Sequence, residues 1–288
     1  MPIIEIENLT YIYGIGTPFE KKALDDISLT VEQGEMIGII GHTGSGKSTL
    51  VQHLNGLFKP SSGKVYINGK DIWESKKTVR QARFTVGLCF QYPEYQLFES
   101  TVYKDIAFGP KNMGLDEAEI DKRVRAAAGF VGLSEDVFDL SPFELSGGMK
   151  RRAAIAGVIA LEPEVLILDE PTAGLDPMGR ETIINMIKNY RSDTGKTVIM
   201  ISHSMDDVAG FCDRVLVMNK GKAETFDTVK NVFSDSEKLV SLGLGVPQVT
   251  RIMISLKKRG LDVRTDVFTF EQAKQELVRL LNGRGKAI

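Results

Sequence analysis

Several things are scarce in this chain, and each scarcity closes a class of function. Only two of 288 residues are cysteines, Cys89 and Cys212, both beside apolar neighbours. That pattern fits reduced core thiols and excludes a disulfide framework or a cysteine-rich metal centre. Net charge is small, with 36 Lys and Arg against 38 Asp and Glu, a formal −2, and a pI near 6.0. A balance of this kind gives no general attraction to nucleic acid, so none is expected as a partner. Long apolar runs are missing too: the longest nearly continuous one, Ala153 to Leu161, is too short to span a bilayer. The opening Met-Pro-Ile-Ile-Glu-Ile-Glu lacks a basic segment followed by an apolar one, so a soluble chain that is not exported by itself is expected. No motif recurs and no sustained heptads interrupt the chain. At 42% hydrophobic and 26% charged, the composition is that of a globular protein with one large core and a smaller appendage.

What is present centres on residues 36–50. Met36 to Ile40 form the short apolar run of a buried strand, and Gly41, His42, Thr43, Gly44, Ser45, Gly46, Lys47 and Ser48 match G-x-x-x-x-G-K-S, with Thr49 and a helix-compatible segment to Leu57 behind them. Glycines let the backbone N–H groups turn inward, and a helix N-terminus adds partial positive charge, so a polyphosphate fits. As in other P-loop nucleotidases, Lys47 would reach the outer phosphates and the Ser48 hydroxyl would ligate Mg²⁺. A chance Gly-rich turn is the bland alternative; the flanking strand and helix argue against it.

Ile4 and Ile6, then Ile27, Leu29 and Val31, alternate with polar residues as half-buried strands, and Lys64 to Gly69 reads as another strand. Together they predict an antiparallel layer at the nucleotide end. Tyr13, just upstream of the grip, is placed to stack on a base or to be a rim tyrosine. Thr85 to Phe90 predict a buried strand with Gln91 at its end, able to sense Mg²⁺ and its water. Asp116 to Leu133 predict an amphipathic helix capped by Asp116. Ser146, Gly147 and Gly148 open another helix and expose a second set of N–H groups to an anion. Val165 to Leu168 run apolar into Asp169 and Glu170, a costly place for two carboxylates unless a cation meets them: Asp169 suits Mg²⁺ and Glu170 a water. Asp176 and Pro177 start a helix that Gly195 ends, and Thr197 to Ile201 form a last buried strand with His203 beyond it, a candidate for the γ-phosphate.

Grip, edge glutamine, LSGG, carboxylate strand, AGLD and strand-end histidine in this order resemble the ATP-binding subunit of an ABC transporter over about residues 3–225. The resemblance implies an α/β P-loop cassette with a mostly parallel core sheet, an antiparallel β-subdomain and a helical subdomain over about 92–162. It implies that Tyr13 stacks on adenine, that Ser48, Gln91 and Asp169 serve Mg²⁺, and that Lys47, Glu170 and His203 serve ATP hydrolysis, with Glu170 as general base. The signature departs at Met149, where that family usually has glutamine.

Phe90 to Phe98, Asp105 to Pro110 and Leu242 to Val249 narrow the resemblance to energy-coupling-factor (ECF) transporter ATPases of the cobalt and vitamin uptake type. Implied partners are a second ATPase chain, identical or paralogous, a transmembrane coupling protein docking near Gln91 and Glu94, and, indirectly, a substrate-capturing membrane protein. Glu94 is expected to pair with an arginine of the coupling protein, and the location to be peripheral on the cytoplasmic face of the membrane. Two alternatives stand beside it: the ATPase of another ABC importer class, or a soluble ABC ATPase of DNA repair or translation. A non-catalytic regulator is disfavoured by the presence of both Glu170 and His203. The chain is accordingly divided into a cassette, 1–225, and a helical extension, 226–288. From Ser241 on, nine Lys or Arg face four Asp or Glu, and two amphipathic helices are predicted, the second opened by Thr269 and Gln272. These helices either pack locally or, as the resemblance implies, touch the second ATPase chain.

Overall fold

The structure, a computed structural model, describes residues 2–284, so the ends of both expected domains, Met1 and 285–288, lie outside the described residues. Strands follow the chain as β1 (Pro2–Tyr13), β2 (Lys21–Glu32), β3 (Met36–Gly41), β4 (Ser62–Ile67), β5 (Lys70–Asp71), β6 (Val86–Cys89), β7 (Val165–Asp169), β8 (Thr197–Ile201), β9 (Arg214–Asn219) and β10 (Lys222–Thr228). Helices are α1 (Lys47–Leu54), α2 (Lys76–Thr85), α3 (Val102–Met113), α4 (Glu117–Phe130), α5 (Gly147–Ile159), α6 (Pro177–Thr194), α7 (Met205–Phe211), α8 (Val229–Ser234), α9 (Ser236–Ser241), α10 (Gln248–Lys258) and α11 (Phe270–Arg284). Residues 2–35 with 48–201 form one compact unit, and residues 36–47 with 202–284 another.

In the first unit, alternation does what the sequence predicts. Ile4, Ile6 and Leu9 of β1 and Leu24, Ile27 and Val31 of β2 are buried, and β2, β1, β4 and β5 pair in that order as antiparallel neighbours. The β1–β2 register shifts between Leu9 and Tyr11 and again between Tyr11 and Ile12, bulges that re-aim the side chains at the end of β1. The same unit holds the parallel trio β6, β7 and β8. Every residue of the three is buried, as expected of strands covered on both faces. Cys89 lies opposite Leu168 and Asp169 opposite Ile201, so the residues just past β6 and β7 emerge at one sheet edge.

Helix ends are set by local chemistry. Asp116 Oδ1 accepts the Glu119 N–H at 2.9 Å to start α4, and Asp176 Oδ1 accepts the Gly179 N–H at 2.7 Å to start α6, which closes at Gly195 with φ +64. Ile106 and Ala107 of α3, Val124 and Ala127 of α4, and Ile155 and Ala156 of α5 make the buried faces of a three-helix cluster. The sequence expectation of a strand from Thr85 is corrected by one residue: Thr85 closes α2, and β6 begins at Val86.

In the second unit, β3 runs parallel to β9 and β9 turns back into β10. All six residues of β3 are buried. Farther on, α10 and α11 enclose a small core of Met253, Val263, Val267 and Ala273, with Leu256, Leu261 and Leu280 packed against it. Thr269 and Gln272 exchange two cap hydrogen bonds at 3.2 and 3.3 Å, the box read from the sequence. No helix among the described residues is long and apolar enough to cross a membrane.

Candidate functional site

The grip residues fold as a tight loop between β3 and α1. A Cβ on Gly41 would lie 2.3 Å from the Met218 carbonyl oxygen of β9, so only glycine allows this approach. Gly46 takes φ +104. Within the loop the Ser45 N–H donates to the His42 carbonyl at 3.0 Å, while the Ser45 carbonyl accepts from Gly221 in the β9–β10 turn at 3.0 Å. Lys47 is buried and donates to the carbonyls of Gly41 at 2.8 Å and His42 at 2.9 Å. Its ammonium thus sits among the loop's own oxygens. Thr43, Gly44 and Ser48 are exposed, and Thr49 is half-buried.

In the same unit, His42 reaches the far end of the chain, its Nε2 donating to the Leu242 carbonyl. Gly243 follows with φ +68, and a Cβ there would meet His42 Nε2 at 2.8 Å. His203 is exposed, one residue beyond Ser202, whose N–H donates to Ile39 of β3 at 3.3 Å.

In the other unit, Tyr13 stands at the end of β1 and is 37% exposed. Its hydroxyl lies 3.2 Å from Thr49 Oγ1. Behind it is His53 of α1, fully buried, with Nδ1 2.7 Å from the Thr49 carbonyl. A carbonyl only accepts, so Nδ1 carries the proton and Nε2 is left as a lone pair without a partner. Burial holds this imidazole below the usual histidine range, the Thr49 contact opposing only in part. A buried acceptor left bare costs about 1–3 kcal/mol, a notable penalty at a residue the sequence reading passed over.

The carboxylate pair follows the design of β7. Asp169 is buried. Glu170, the next residue, adopts φ +49, a left-handed conformation rare for glutamate, and its N–H donates to Ile201 at 3.1 Å. Gln91, one residue past Phe90 on the adjoining strand end, donates from Nε2 to Glu170 Oε2 at 2.9 Å. Ser48, Gln91 and Asp169 offer a hydroxyl, an amide carbonyl and a carboxylate, the hard oxygen donors that Mg²⁺ takes, and no soft ligand competes. Cys89, near Asp169, is no exception: burial pushes its thiol up to about 12, so it stays protonated.

Ser146 caps α5, its Oγ accepting the Met149 N–H at 3.4 Å. Gly147 and Gly148 have open space where side chains would be. They line a groove of about 650 Å³ with Met149, Gly174, Asp176 and Gly179. Sequence reasoning also missed Arg151, the fifth residue of this helix and buried. It grips Glu94 through Nε at 3.0 Å and Nη2 at 2.8 Å and donates from Nη1 to Pro171 at 3.2 Å and Ala173 at 2.7 Å. Glu94 therefore has an arginine inside its own chain, where the sequence suggested one from a partner. Burial works against the Glu94 carboxylate, but the Arg151 hydrogen bonds outweigh it and hold the group below the usual glutamate range. An arginine three residues past a Gly-Gly helix start was the available signal; the apolar stretch after it drew the reading toward packing.

Fold and residues together define a P-loop ATPase cassette of the ABC type. A family model described as ABC transporter matches residues 24–173. The chain is 56% identical over 282 residues to the energy-coupling factor transporter ATP-binding protein EcfA2 of Clostridium tetani, covering 98% of both chains. It is 53% identical over 283 residues to the protein of that name from Caldanaerobacter subterraneus, covering 98% of this chain and 99% of that one. Among solved structures, cbiO1 from Clostridium perfringens, described as part of the ABC transporter complex cbiONQ, superposes with a TM-score of 0.73 at 42% identity, over 88% of this chain and 99% of that one. The MJ0796 cassette, a dimer in a post-hydrolysis state bound to ADP and Pi, superposes with a TM-score of 0.70 at 27% identity, over 78% of this chain and 98% of that one. The chain belongs to the ABC transporter family, in its group of energy-coupling factor transporter ATP-binding proteins, and it is an ATP hydrolase that uses ATP with Mg²⁺.

Proposed function

We propose that this chain drives an ECF-type importer of a vitamin or a transition-metal ion from the cytoplasmic face of the membrane, as one half of an ATPase pair that ATP closes. The observation that supports this most is the end-to-end similarity to EcfA2 proteins, which takes in residues 226–288 as well as the cassette. In this reading residues 1–225 are the cassette, with a helical subdomain over about 92–162, and residues 226–288 are an extension that touches the second ATPase chain.

The proposed roles follow from the chemistry of each group. Tyr13 stacks on adenine. The amides of Gly41 to Gly46, with His42, Thr43, Ser45 and Thr49 around them, and the Lys47 ammonium hold the phosphates, and His203 reads the γ-phosphate. Ser48, Gln91 and Asp169 hold Mg²⁺, which when bound neutralises charge building on the phosphate oxygens. Glu170 takes a proton from the water as its oxygen bonds to the γ-phosphorus, and the bond to the bridging oxygen breaks with its electron pair leaving on ADP. Ser146 with the Gly147 and Gly148 amides meets the γ-phosphate held by the second chain. The transmembrane coupling protein docks near Gln91 and Glu94, and through it the substrate-capturing protein is reached.

Glu94 enters this scheme differently from the sequence expectation. With its carboxylate already held by Arg151, it acts as a strut between the Gln91 segment and α5, and a partner's arginine would have to share it. The test is purification of the chain with its membrane partners from its host, followed by uptake assays in vesicles: a small hydrophobic coupling protein and ATP-dependent uptake of a vitamin or metal ion support the reading, and recovery as a soluble particle with DNA or ribosomes contradicts it.

A further inference from the structure

Tyr13 does not stand alone. Its ring meets Tyr11 edge to face, with centroids 4.8 Å apart and planes at 83°, and meets Phe58 at 5.8 Å and 88°. Tyr11 and Phe58 stack on each other at 5.3 Å and 16°. Against them packs His53, 4.6 Å from Tyr11 at 70° and 5.8 Å from Phe58 at 54°. Tyr11 and Tyr13 meet where β1 is bulged, its register with β2 shifting between Tyr11 and Ile12, and the segment carrying Phe58 is tied to that strand: the Ser61 N–H donates to Thr10 at 2.9 Å and the Ile12 N–H to Ser61 Oγ at 3.0 Å.

Edge-to-face pairs have preferred angles, because each ring's positive rim seeks another's negative face. Two such constraints on Tyr13, from Tyr11 and Phe58, plus its hydroxyl held by Thr49, leave the ring little freedom although the residue stays partly exposed. His53 shows that the arrangement is built for position rather than for burial alone. It is fully buried with Nε2 lacking a partner, and a leucine or phenylalanine would fill a core at that place without stranding a lone pair. The histidine gives what neither can, a hydrogen bond from Nδ1 to the Thr49 carbonyl, so that Thr49 is held by its carbonyl on one side and by Tyr13 on its hydroxyl.

We propose that Tyr11, His53 and Phe58 are positioning residues for base recognition: they hold Tyr13 ready for a purine base and tie that platform through Thr49 to the start of the phosphate-binding helix. The proposal rests on the reading of Tyr13 as the base platform. A fixed ring loses less freedom when the base arrives, so the box raises affinity for the base without touching it. Groups that bind only phosphate should not sense it.

Full-length protein titrated with Mg-ATP and, separately, with Mg-tripolyphosphate, which has the phosphates and no base, reads this directly. Tyr13→Ala should lower the ratio of the two affinities. Phe58→Leu and Tyr11→Leu should lower it in part, by about 2- to 10-fold, with tripolyphosphate affinity unchanged, and Tyr11→Phe should restore it. If Tyr13→Ala lowers the ratio and the two leucine variants do not, the box is ordinary packing and the inference fails while the base platform stands. If the leucine variants weaken both ligands equally, the effect is one of folding and the inference also fails. If Tyr13→Ala leaves the ratio unchanged, Tyr13 is not the platform and both readings fall.

Discussion

The Gln91 side-chain amide donates to the Glu170 carboxylate at 2.9 Å, across the ends of two neighbouring parallel strands. One residue proposed for Mg²⁺ therefore holds the residue proposed as general base, and it does so through the nitrogen, leaving its carbonyl for the cation. Glu170 sits at φ +49 and Tyr92, just after Gln91, at φ +53. Both are left-handed conformations that cost non-glycine residues on the order of 1–3 kcal/mol and persist only where surroundings enforce them.

Loss of this hold should show as slow chemistry rather than weak binding. Gln91→Ala is expected to lower turnover about 10- to 100-fold, the usual effect of removing a group that orients a metal or its ligands, with a smaller change in ATP affinity. Steady-state hydrolysis at graded Mg²⁺ measures it; unchanged turnover at every concentration would show that Gln91 is only a solvated neighbour.

Arg151 joins three stretches that are far apart in the chain, Glu94, Pro171 and Ala173, and α5. Arg151→Met leaves the Glu94 carboxylate without its partner and two carbonyls without a donor, so a loss of about 3–5 kcal/mol is expected. Denaturant unfolding reads it. The pH dependence carries a sign: because Arg151 depresses Glu94, the stabilisation is present above the ordinary glutamate value near 4.5 and fades as pH falls through the lower folded value. Wild type should thus lose its advantage over Glu94→Gln in acid. An advantage that grows in acid would mean the ion pair is not what Glu94 contributes.

Much of this was legible in the sequence, for definite reasons. Strands such as Val165 to Leu168 are buried on both faces, so their apolar runs show whatever the tertiary setting, and Asp116, Asp176 and Thr269 mark helix starts by local hydrogen bonds. Arg151 and His53 were not legible, because their partners, Glu94 and the Tyr11–Phe58 stack, come from sequence distances that no local period encodes. Nor was the contact of His42 with Leu242, which spans 200 residues. The intrachain partner of Glu94 was hidden for the same reason: a charge in a short motif looks free until the fold supplies Arg151.

Closure of the pair by ATP predicts an association that depends on the γ-phosphate. Glu170→Gln, which binds without consuming, should dimerise with itself or its paralogue in Mg-ATP and much less in Mg-ADP, because only ATP offers the group both chains share. Light scattering distinguishes the two; equal masses in both nucleotides would contradict the shared-phosphate contact.

The extension carries exposed apolar residues, Leu277, Val278 and Leu281 on α11 and Ile252 on α10, although it has a core of its own. Local packing accounts for one face of these helices and leaves the other, which the second ATPase chain is proposed to cover. Leu277→Asp with Leu281→Asp should reduce nucleotide-free pairing by sedimentation while leaving ATP binding to the single chain intact. Deleting Ser241 onward tests the same idea less cleanly, since it also takes the Leu242 carbonyl away from His42. Undiminished pairing by the double variant would mean that this surface is simply solvated.

The measurement that bears most directly on the mechanism is Mg-ATP hydrolysis by the membrane complex assembled with Glu170→Gln. General-base catalysis contributes about 10² to 10⁴ in rate, so turnover should fall by that order and uptake should stop, while ATP binding persists and Lys47→Ala, by contrast, weakens binding itself. Hydrolysis near the wild-type rate in the Glu170→Gln complex would contradict the assignment of Glu170 and, with it, the mechanism proposed for this chain.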